Sequence, residues 1–525
     1  MTHNHYTNQN LPQHTHSYWT EALHLPNYPR LNKDIQVDVV IVGGGITGIT
    51  SAYLLVNEGL KVAILEADTL LNGTTGHTSA KITAQHDLIY DELIQHTGQS
   101  IARLYYEANV DALKFIEKLV TTLHIDCDFV NQDAYIYATT EEYARKLEKE
   151  ALAYEKLGIE GELVDEIPID IAIHNALVMR KQAQFHPLKY LSHLVQLITE
   201  KGGYIFENTT AVNIHTGEQP IVFTRDGAQI TANYVLSCSH FPFYEGAGLY
   251  STRMHADSSY VIAAKTNKEY PGGMYISADQ PKRSLRSATI NGEEMVLISG
   301  ESHKVGQGGD ILSHYKALED FGQHVFGLET IPHRWSAQDL ITVDKIPYIG
   351  EITPSQKNIL IATGYRKWGM TNGTVAALLF RDAVLRRQNI YREVYTPSRF
   401  HMNPSLKNFL VENANVVGHL IKGKLEHPNK LLSDLSHNEG GVVTINGHRK
   451  GAYRDTEGKL YVVDTTCTHI GCEVEWNNGD CTWDCPCHGS RFSYTGEVIE
   501  GPAEKPLQQY DYTMLDNLLS EDSGY

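Results

Sequence analysis

The chain has 525 residues, too many for one ordinary core, and its 42% apolar and 20% charged composition is that of a folded globular protein of two to four domains. Asp plus Glu outnumber Lys plus Arg by 63 to 44, a formal charge of −19, which argues against nucleic acid or an anionic membrane as the main partner. No run of 18 apolar residues occurs and the N-terminus lacks an apolar signal region, so no membrane span is expected and the cytoplasm is the expected location. Residues 1–33 read as a polar N-terminal tail whose histidines, at positions 3, 5, 14 and 16, have nothing around them to fix a metal geometry.

The first ordered pattern is "VDVVIVGGGITG" at 37–48. A β-branched strand ends in Gly43-x-Gly45-x-x-Gly48, a helix pattern follows through Ala52, Leu55 and Val56, and a second apolar strand, Lys61–Leu65, ends at Glu66. That context makes the glycine motif a dinucleotide fingerprint. Gly43 allows the tight turn, Gly45 admits a pyrophosphate to the backbone, Gly48 lets helix and strand pack, and Glu66 accepts from ribose hydroxyls. NAD and FAD both remain open at this point. Next comes a Gly/Thr/Ser-rich loop, "LLNGTTGHTSAKITAQHD" (70–87), and then an amphipathic helix over Ser100–Leu123 with Ile101, Leu104, Ala108, Ala112, Phe115 and Leu119 on one stripe. Cys127 and Cys238 read as core thiols. Residues 358–385 read as a strand, a Gly-rich turn from Gly364 to Gly373, and a helix beginning near Thr371. "GAGLYS" and "GQGGDI" fail the fingerprint, so no second nucleotide site for NADH is expected.

Over residues 34–390 these features resemble the glycine and D-amino-acid oxidase family. The resemblance implies an α/β, Rossmann-like FAD domain interleaved with an α+β substrate domain built on an antiparallel sheet. It implies that the 70–87 loop, with Thr74 and Thr75, wraps the ribityl diphosphate, and that backbone near Val212 meets the adenine. It also implies that Gly364, Gly369, Met370 and Thr371 close on the isoalloxazine, with a helix N-terminus facing it.

Five of the seven cysteines fall in "CTHIGCEVEWNNGDCTWDCPCHGS", after short strands with turn punctuation that read as a small all-β domain. Cys467-x-His469 and Cys485-x-x-His488 supply two thiolates and two imidazoles. A structural zinc is one reading. Each loop mixes one Cys with one His, however, which is how a [2Fe–2S] centre with two thiolates on one iron and two imidazoles on the other takes its ligands. "CTHIGC", "CPCHGS" and "GPA" (501–503) closely resemble Rieske proteins. That resemblance implies Cys467, His469, Cys485 and His488 as ligands, a disulfide between Cys472 and Cys487, and a Ser490 hydroxyl that raises the cluster potential. Phe492 stands where high-potential Rieske proteins carry Tyr, so a potential below the upper limit is expected. Cys481 reads as a spare thiol. The implied organisation is a flavin module over 34–400, a helix and linker over 401–428, a Rieske domain over 429–515 and a tail over 516–525.

Together these parts imply a flavin-dependent dehydrogenase or oxidase of an amine or amino-acid-like substrate, passing electrons from FAD to the cluster and on to an unknown external acceptor. The alternatives are a non-catalytic redox sensor or electron carrier, and a reductase running from cluster to flavin. A Rieske oxygenase is disfavoured because no two-His, one-carboxylate iron motif is found. Candidate catalytic residues are His77 and Lys81 in the flavin-wrapping loop, Lys81 stabilising charge on reduced flavin. Arg366 could pair with a substrate carboxylate, with Tyr365 and Trp368 beside it. Arg253, His255 and Tyr260 precede a strand of the substrate sheet, Tyr260 being equally a core residue.

Overall fold

The computed structural model describes residues 11–511 except 13–14, 22, 24, 291, 400–412, 417 and 420–429. The tail histidines at 3, 5 and 14, most of the 401–428 segment and the C-terminal tail therefore lie outside the described residues; within 401–428, residues 413–416 and 418–419 are helical.

Strands Val39–Val42 and Val62–Leu65 are buried along their whole length and pair in parallel, with helix Ile46–Asn57 crossing between them. An unbroken apolar run suits a strand covered on both faces. The sheet runs in the order Tyr348–Thr353, Gln356–Thr363, Tyr234–Ser237, Val39–Val42, Val62–Leu65, Tyr204–Phe206, and only its first pair is antiparallel. Helix Gly369–Val384 leaves strand Gln356–Thr363 and packs beside Ile46–Asn57 so closely that a Cβ on Gly373 would sit 2.9 Å from Thr47 Oγ1. Both helix N-termini therefore open on one place.

The second sheet has nine strands. Its main path runs from Leu328–Thr342 and Met254–Thr266 through Glu293–Lys304, Arg283–Ile290 and Met274–Ser277 to Val130–Ala138, Asn175–Gln184 and Lys81–Ile82. It is antiparallel, as expected, apart from one parallel pair, Met274–Ser277 with Val130–Ala138. The amphipathic helix spans Gln99–Thr122, and its buried residues are Ala102, Tyr105, Ala108, Asn109, Ala112, Leu113 and Ile116. It packs on helix Gly369–Val384 and on the neighbouring helices Tyr90–Thr97 and Glu141–Leu157. Within the stretch read as a polar tail, Tyr18 and Trp19 are buried, the Trp19 ring edge-on to His186 and its Nε1 donating to Thr78 O at 2.7 Å.

The C-terminal part is two antiparallel four-stranded sheets. It covers the edge strand Leu328–Thr342, a natural way to hide an open sheet edge. Arg334 Nη1 donates to Gly479 O (3.1 Å), Ser336 Oγ to Asp480 Oδ2 (2.6 Å) and Gln338 Nε2 to Gly489 O (2.9 Å). Asn478 Oδ1 accepts from Ile311 N at 3.0 Å. Two glycines make the seam tight: a Cβ on Gly489 would lie 2.4 Å from Ala256 Cβ, and one on Gly306 2.8 Å from Pro486 N.

Candidate active site and cluster centre

A cavity of about 470 Å³ opens where the two helix N-termini meet the nine-stranded sheet. Of the residues expected at the cofactor, Gly43, Gly45, Glu66, Thr74, Thr75, Gly364, Gly369 and Met370 line it. Gly43 (φ +111°) turns the chain with its Cα against Cys238, where a Cβ would sit 2.4 Å from the carbonyl oxygen. A Cβ on Gly48 would lie 2.0 Å from Gly43 O, so helix and strand can touch only through glycine. Glu66 is fixed by two backbone donors, Gly44 N at 2.7 Å on Oε2 and Asp68 N at 3.0 Å on Oε1, and burial raises its carboxyl. Thr75 Oγ1 accepts from Ile46 N at 3.1 Å and ties the wrapping loop to the helix start. A side-chain-free turn, a helix N-terminus and a carboxylate beyond the second strand match what a dinucleotide of FAD's type requires, so the residues fit the cofactor.

Three expected cofactor contacts do not reach the cavity lining. Thr209, Thr210 and Ala211, the turn leading into strand Ala211–His215 and its first residue, line it in place of Val212. Thr371 is turned inward, its hydroxyl 3.1 Å from His86 Nε2. Gly48 acts through packing only. Cys238, expected in a core, lines the cavity, its thiol raised by burial.

Lys81 lines the cavity with Nζ donating to Tyr275 O at 2.8 Å and Ser284 Oγ at 2.5 Å. Burial, reinforced by Arg286, lowers it to about 7. His77 also lines the cavity; its Nδ1 lies 3.0 Å from Gly73 O and burial lowers its pKa. Arg366 is there too, in left-handed backbone (φ +46°), donating to His86 O at 2.7 Å. Trp368 stacks on His86, and the Tyr365 hydroxyl meets Thr47 Oγ1 at 2.8 Å. Tyr260 does not line the cavity. It is fully buried on the opposite face of its strand, with its hydroxyl 2.8 Å from His303 Nε2 and its ring stacked on His314. Its neighbours Ser259 and Val261 line the cavity instead.

Sequence reasoning missed Lys282, Lys367 and Asp339 on the cavity wall. Lys282 Nζ pairs with Asp87 Oδ2 at 2.7 Å, and Lys367 Nζ donates to Ser302 Oγ at 2.5 Å and lies 3.9 Å from Asp339. It also missed the segment 498–504, which reaches the cavity from the C-terminal part.

Cys467 and Cys485 are buried in two adjacent loops, and the His469 and His488 rings lie 5.0 Å apart at 87°. Each loop is a closed turn: Gly471 N donates to Cys467 O and Gly489 N to Cys485 O. Burial lowers both imidazoles, His488 to about 4, which keeps them neutral as metal ligation requires. Nδ1 of His488 is buried with no hydrogen-bond partner among the described residues. Two thiols, two neutral imidazoles and one orphaned imidazole nitrogen fit a Rieske centre. Cys472 and Cys487 form a disulfide (S–S 2.06 Å) that joins the loops, so the close grouping of Cys472, Cys485 and Cys487 sulfurs is not a three-thiolate metal site. Ser490 Oγ accepts from Ala503 N at 3.0 Å, Phe492 is fully buried, and Cys481 is a free thiol.

Fold and site define a flavin-binding oxidoreductase joined to an iron–sulfur module. The family model for FAD-dependent oxidoreductases matches residues 38–383 and that for the Rieske [2Fe-2S] domain matches 428–511, and the chain belongs to the FAD-dependent oxidoreductase family with a Rieske domain at its C-terminal end. FAD and a Rieske [2Fe–2S] cluster are its cofactors. It is 53% identical over 495 residues to the Bacillus subtilis (strain 168) Rieske 2Fe-2S iron-sulfur protein YhfW, covering 94% of this chain and 97% of that one. It is 22% identical over 387 residues to gamma-glutamylputrescine oxidoreductase of Escherichia coli (strain K12), covering 71% and 89%. Glycine oxidase from Geobacillus kaustophilus superposes with a TM-score of 0.58 at 19% identity, over 70% of this chain and 99% of that structure.

Proposed function

We propose that the chain oxidises an amine or amino-acid-like substrate and passes the electrons from FAD to its own Rieske cluster and on to an external acceptor. Bound FAD supplies two-electron oxidation of a carbon–hydrogen bond, and the cluster accepts electrons singly. The observation that carries this reading is the seam. Phe241 lines the flavin cavity and its ring stands edge-on to the cluster ligand His469, centroids 6.5 Å apart. Gln338 ties cluster-loop residue Gly489 to the strand that also accepts from Thr74 Oγ1 of the wrapping loop. In this reading the two cofactor sites lie on opposite sides of one packed wall.

In this reading Lys81 places its Nζ where it can hold a proton and meet negative charge developing at the flavin edge. Arg366, held by the His86 carbonyl, and His77 line the same cavity. The modules span 34–400 and 429–515 with 401–428 joining them. The cytoplasm is the compartment assigned; among the described residues no helix is long and apolar enough to cross a membrane. Anaerobic mixing of the holoenzyme with a library of amines and amino acids tests the reading. Flavin bleaching followed by cluster reduction supports it. A library that bleaches nothing, or bleaching that leaves the cluster oxidised, rejects it.

A further inference from the structure

The flavin cavity is not built by the flavin module alone. Val498–Glu504, from the Rieske module, form part of its wall. Gly501 sits where a Cβ would be 3.9 Å from Phe241 Cβ, and Arg225 Nη2 donates to Glu504 O at 2.6 Å. Glu500 and Glu504 are the ionisable side chains of this segment, and Asp339 on the cavity wall acts electrostatically on Glu500.

Glu500 is short of donors. Oε2 is buried with no hydrogen-bond partner among the described residues. Its nearest cation, Arg491, lies 3.9 Å from Oε1 and is drawn away by two aspartates, Asp480 at 3.0 Å and Asp484 at 3.4 Å. One guanidinium against three carboxylates leaves negative charge uncompensated. The cavity's own Lys and Arg side chains do not repair this, because each is engaged elsewhere. Lys81 holds Ser284, Lys282 holds Asp87, Arg366 holds His86 O, Lys367 holds Ser302, and Arg225 holds Glu504 O. A buried carboxylate oxygen without a donor costs free energy unless the occupant of the cavity supplies one.

We propose that Glu500 is a substrate-binding residue: its carboxylate, contributed by the Rieske module, accepts hydrogen bonds from an ammonium group of the substrate in the flavin cavity. The inference rests on the amine-oxidising reading above and names the residue and the charge it recognises. It also makes the substrate site a property of the docked arrangement, since neither module carries the whole of it. Burial raises the Glu500 carboxyl, and a bound cation would bring it down again.

The test is a binding titration on the oxidised holoenzyme, read from the flavin difference spectrum without turnover. The probes are n-butylammonium chloride and, as a neutral control of similar length, butyramide. For the native chain, butylammonium is expected to bind more tightly than butyramide. Glu500→Gln is expected to raise the Kd for butylammonium about tenfold or more and leave that for butyramide unchanged, tenfold corresponding to about 1.4 kcal/mol. FAD content, the unliganded flavin spectrum and the cluster's electron paramagnetic resonance signal of E500Q should match the native holoenzyme. Equal weakening of both probes, equal affinity of both variants, or no butylammonium binding to the native chain overturns the inference. So does loss of FAD or an altered unliganded flavin spectrum in E500Q, which would give the carboxylate to the cofactor. Failure of the amine library to bleach the flavin rejects the broader function and leaves this binding result standing, so the two failures are distinguishable.

Discussion

Gly306 offers a clean perturbation of the seam, because it belongs to the flavin module yet touches the cluster loop. Its φ is +68°, and a Cβ there would lie 2.8 Å from Pro486 N, 2.9 Å from Pro486 Cα and 3.0 Å from Pro486 Cβ. Gly306→Ala therefore carries two costs: about 1–2 kcal/mol for a left-handed conformation with a Cβ, and about 1–3 kcal/mol for overlap with atoms that cannot rotate away. Gly309, three residues on, has the same φ of +68°, and a Cβ there would meet nothing within 4 Å. Gly309→Ala thus measures the backbone cost alone, and the difference between the variants, about 1–3 kcal/mol, isolates the seam. Denaturant unfolding followed through the cluster's visible absorbance gives that difference. Rapid mixing with a reducing substrate should show unchanged flavin bleaching and slower cluster reduction in G306A only. If G306A and G309A agree within about 0.5 kcal/mol, the size of an ordinary surface change, and reduce their clusters at the same rate, the docked seam is not the electron route.

Lys81 is protonated below about 7 and neutral above it. Its cation stabilises negative charge, so the ratio of flavin bleaching rates, native over Lys81→Met, should fall as pH rises from about 6 to about 8; a pH-independent ratio removes Lys81 from the step. Glu66→Ala strips the acceptor from Gly44 N and Asp68 N and from the ribose it would hold. Losing a hydrogen bond to a charged group, about 1.5–3 kcal/mol, should weaken FAD binding about ten- to hundredfold in equilibrium dialysis, and unchanged affinity contradicts the assignment. Cys472 and Cys487 are 15 residues apart. Reducing them should lower cluster-module stability by about 3 kcal/mol, seen as an earlier denaturation midpoint; an unmoved midpoint with both thiols labelled refutes it. Phe492 packs in one core with Cys467 and Cys485, so the hydroxyl added by Phe492→Tyr should raise the cluster midpoint potential, and an unchanged or lower potential counts against the Rieske assignment of that position.

What is legible in the sequence is what lies close along the chain. The glycine fingerprint, Glu66 and the Cys-x-His loops are contiguous, and each needs its residue types for a reason that local geometry supplies. Tyr260 misleads because a strand shows its residues alternately to two faces, and sequence alone does not say which face meets the cavity. At the adenine end the lining comes from Thr209, Thr210 and Ala211, where the chain enters the strand, one residue before the expected Val212. Of the apolar stripe read from the sequence for Gln99–Thr122, Ala108 and Ala112 are buried while Ile101 and Leu104 are only partly so, and a polar residue, Asn109, is buried with them. Asp339, Lys282, Lys367 and Glu500 carry no local signature. They come from distant strands and a second module, and only the fold brings them to one cavity.

We propose that the flavin and the cluster within one chain exchange electrons across the packed wall at Phe241 and Gln338. Anaerobic rapid mixing of the holoenzyme with a bleaching substrate, freeze-quenched for electron paramagnetic resonance at several protein concentrations, addresses it directly. We predict that the reduced-cluster signal rises as the flavin signal decays, with a rate that does not depend on protein concentration. A cluster that stays oxidised, or whose reduction accelerates in proportion to protein concentration, contradicts the account.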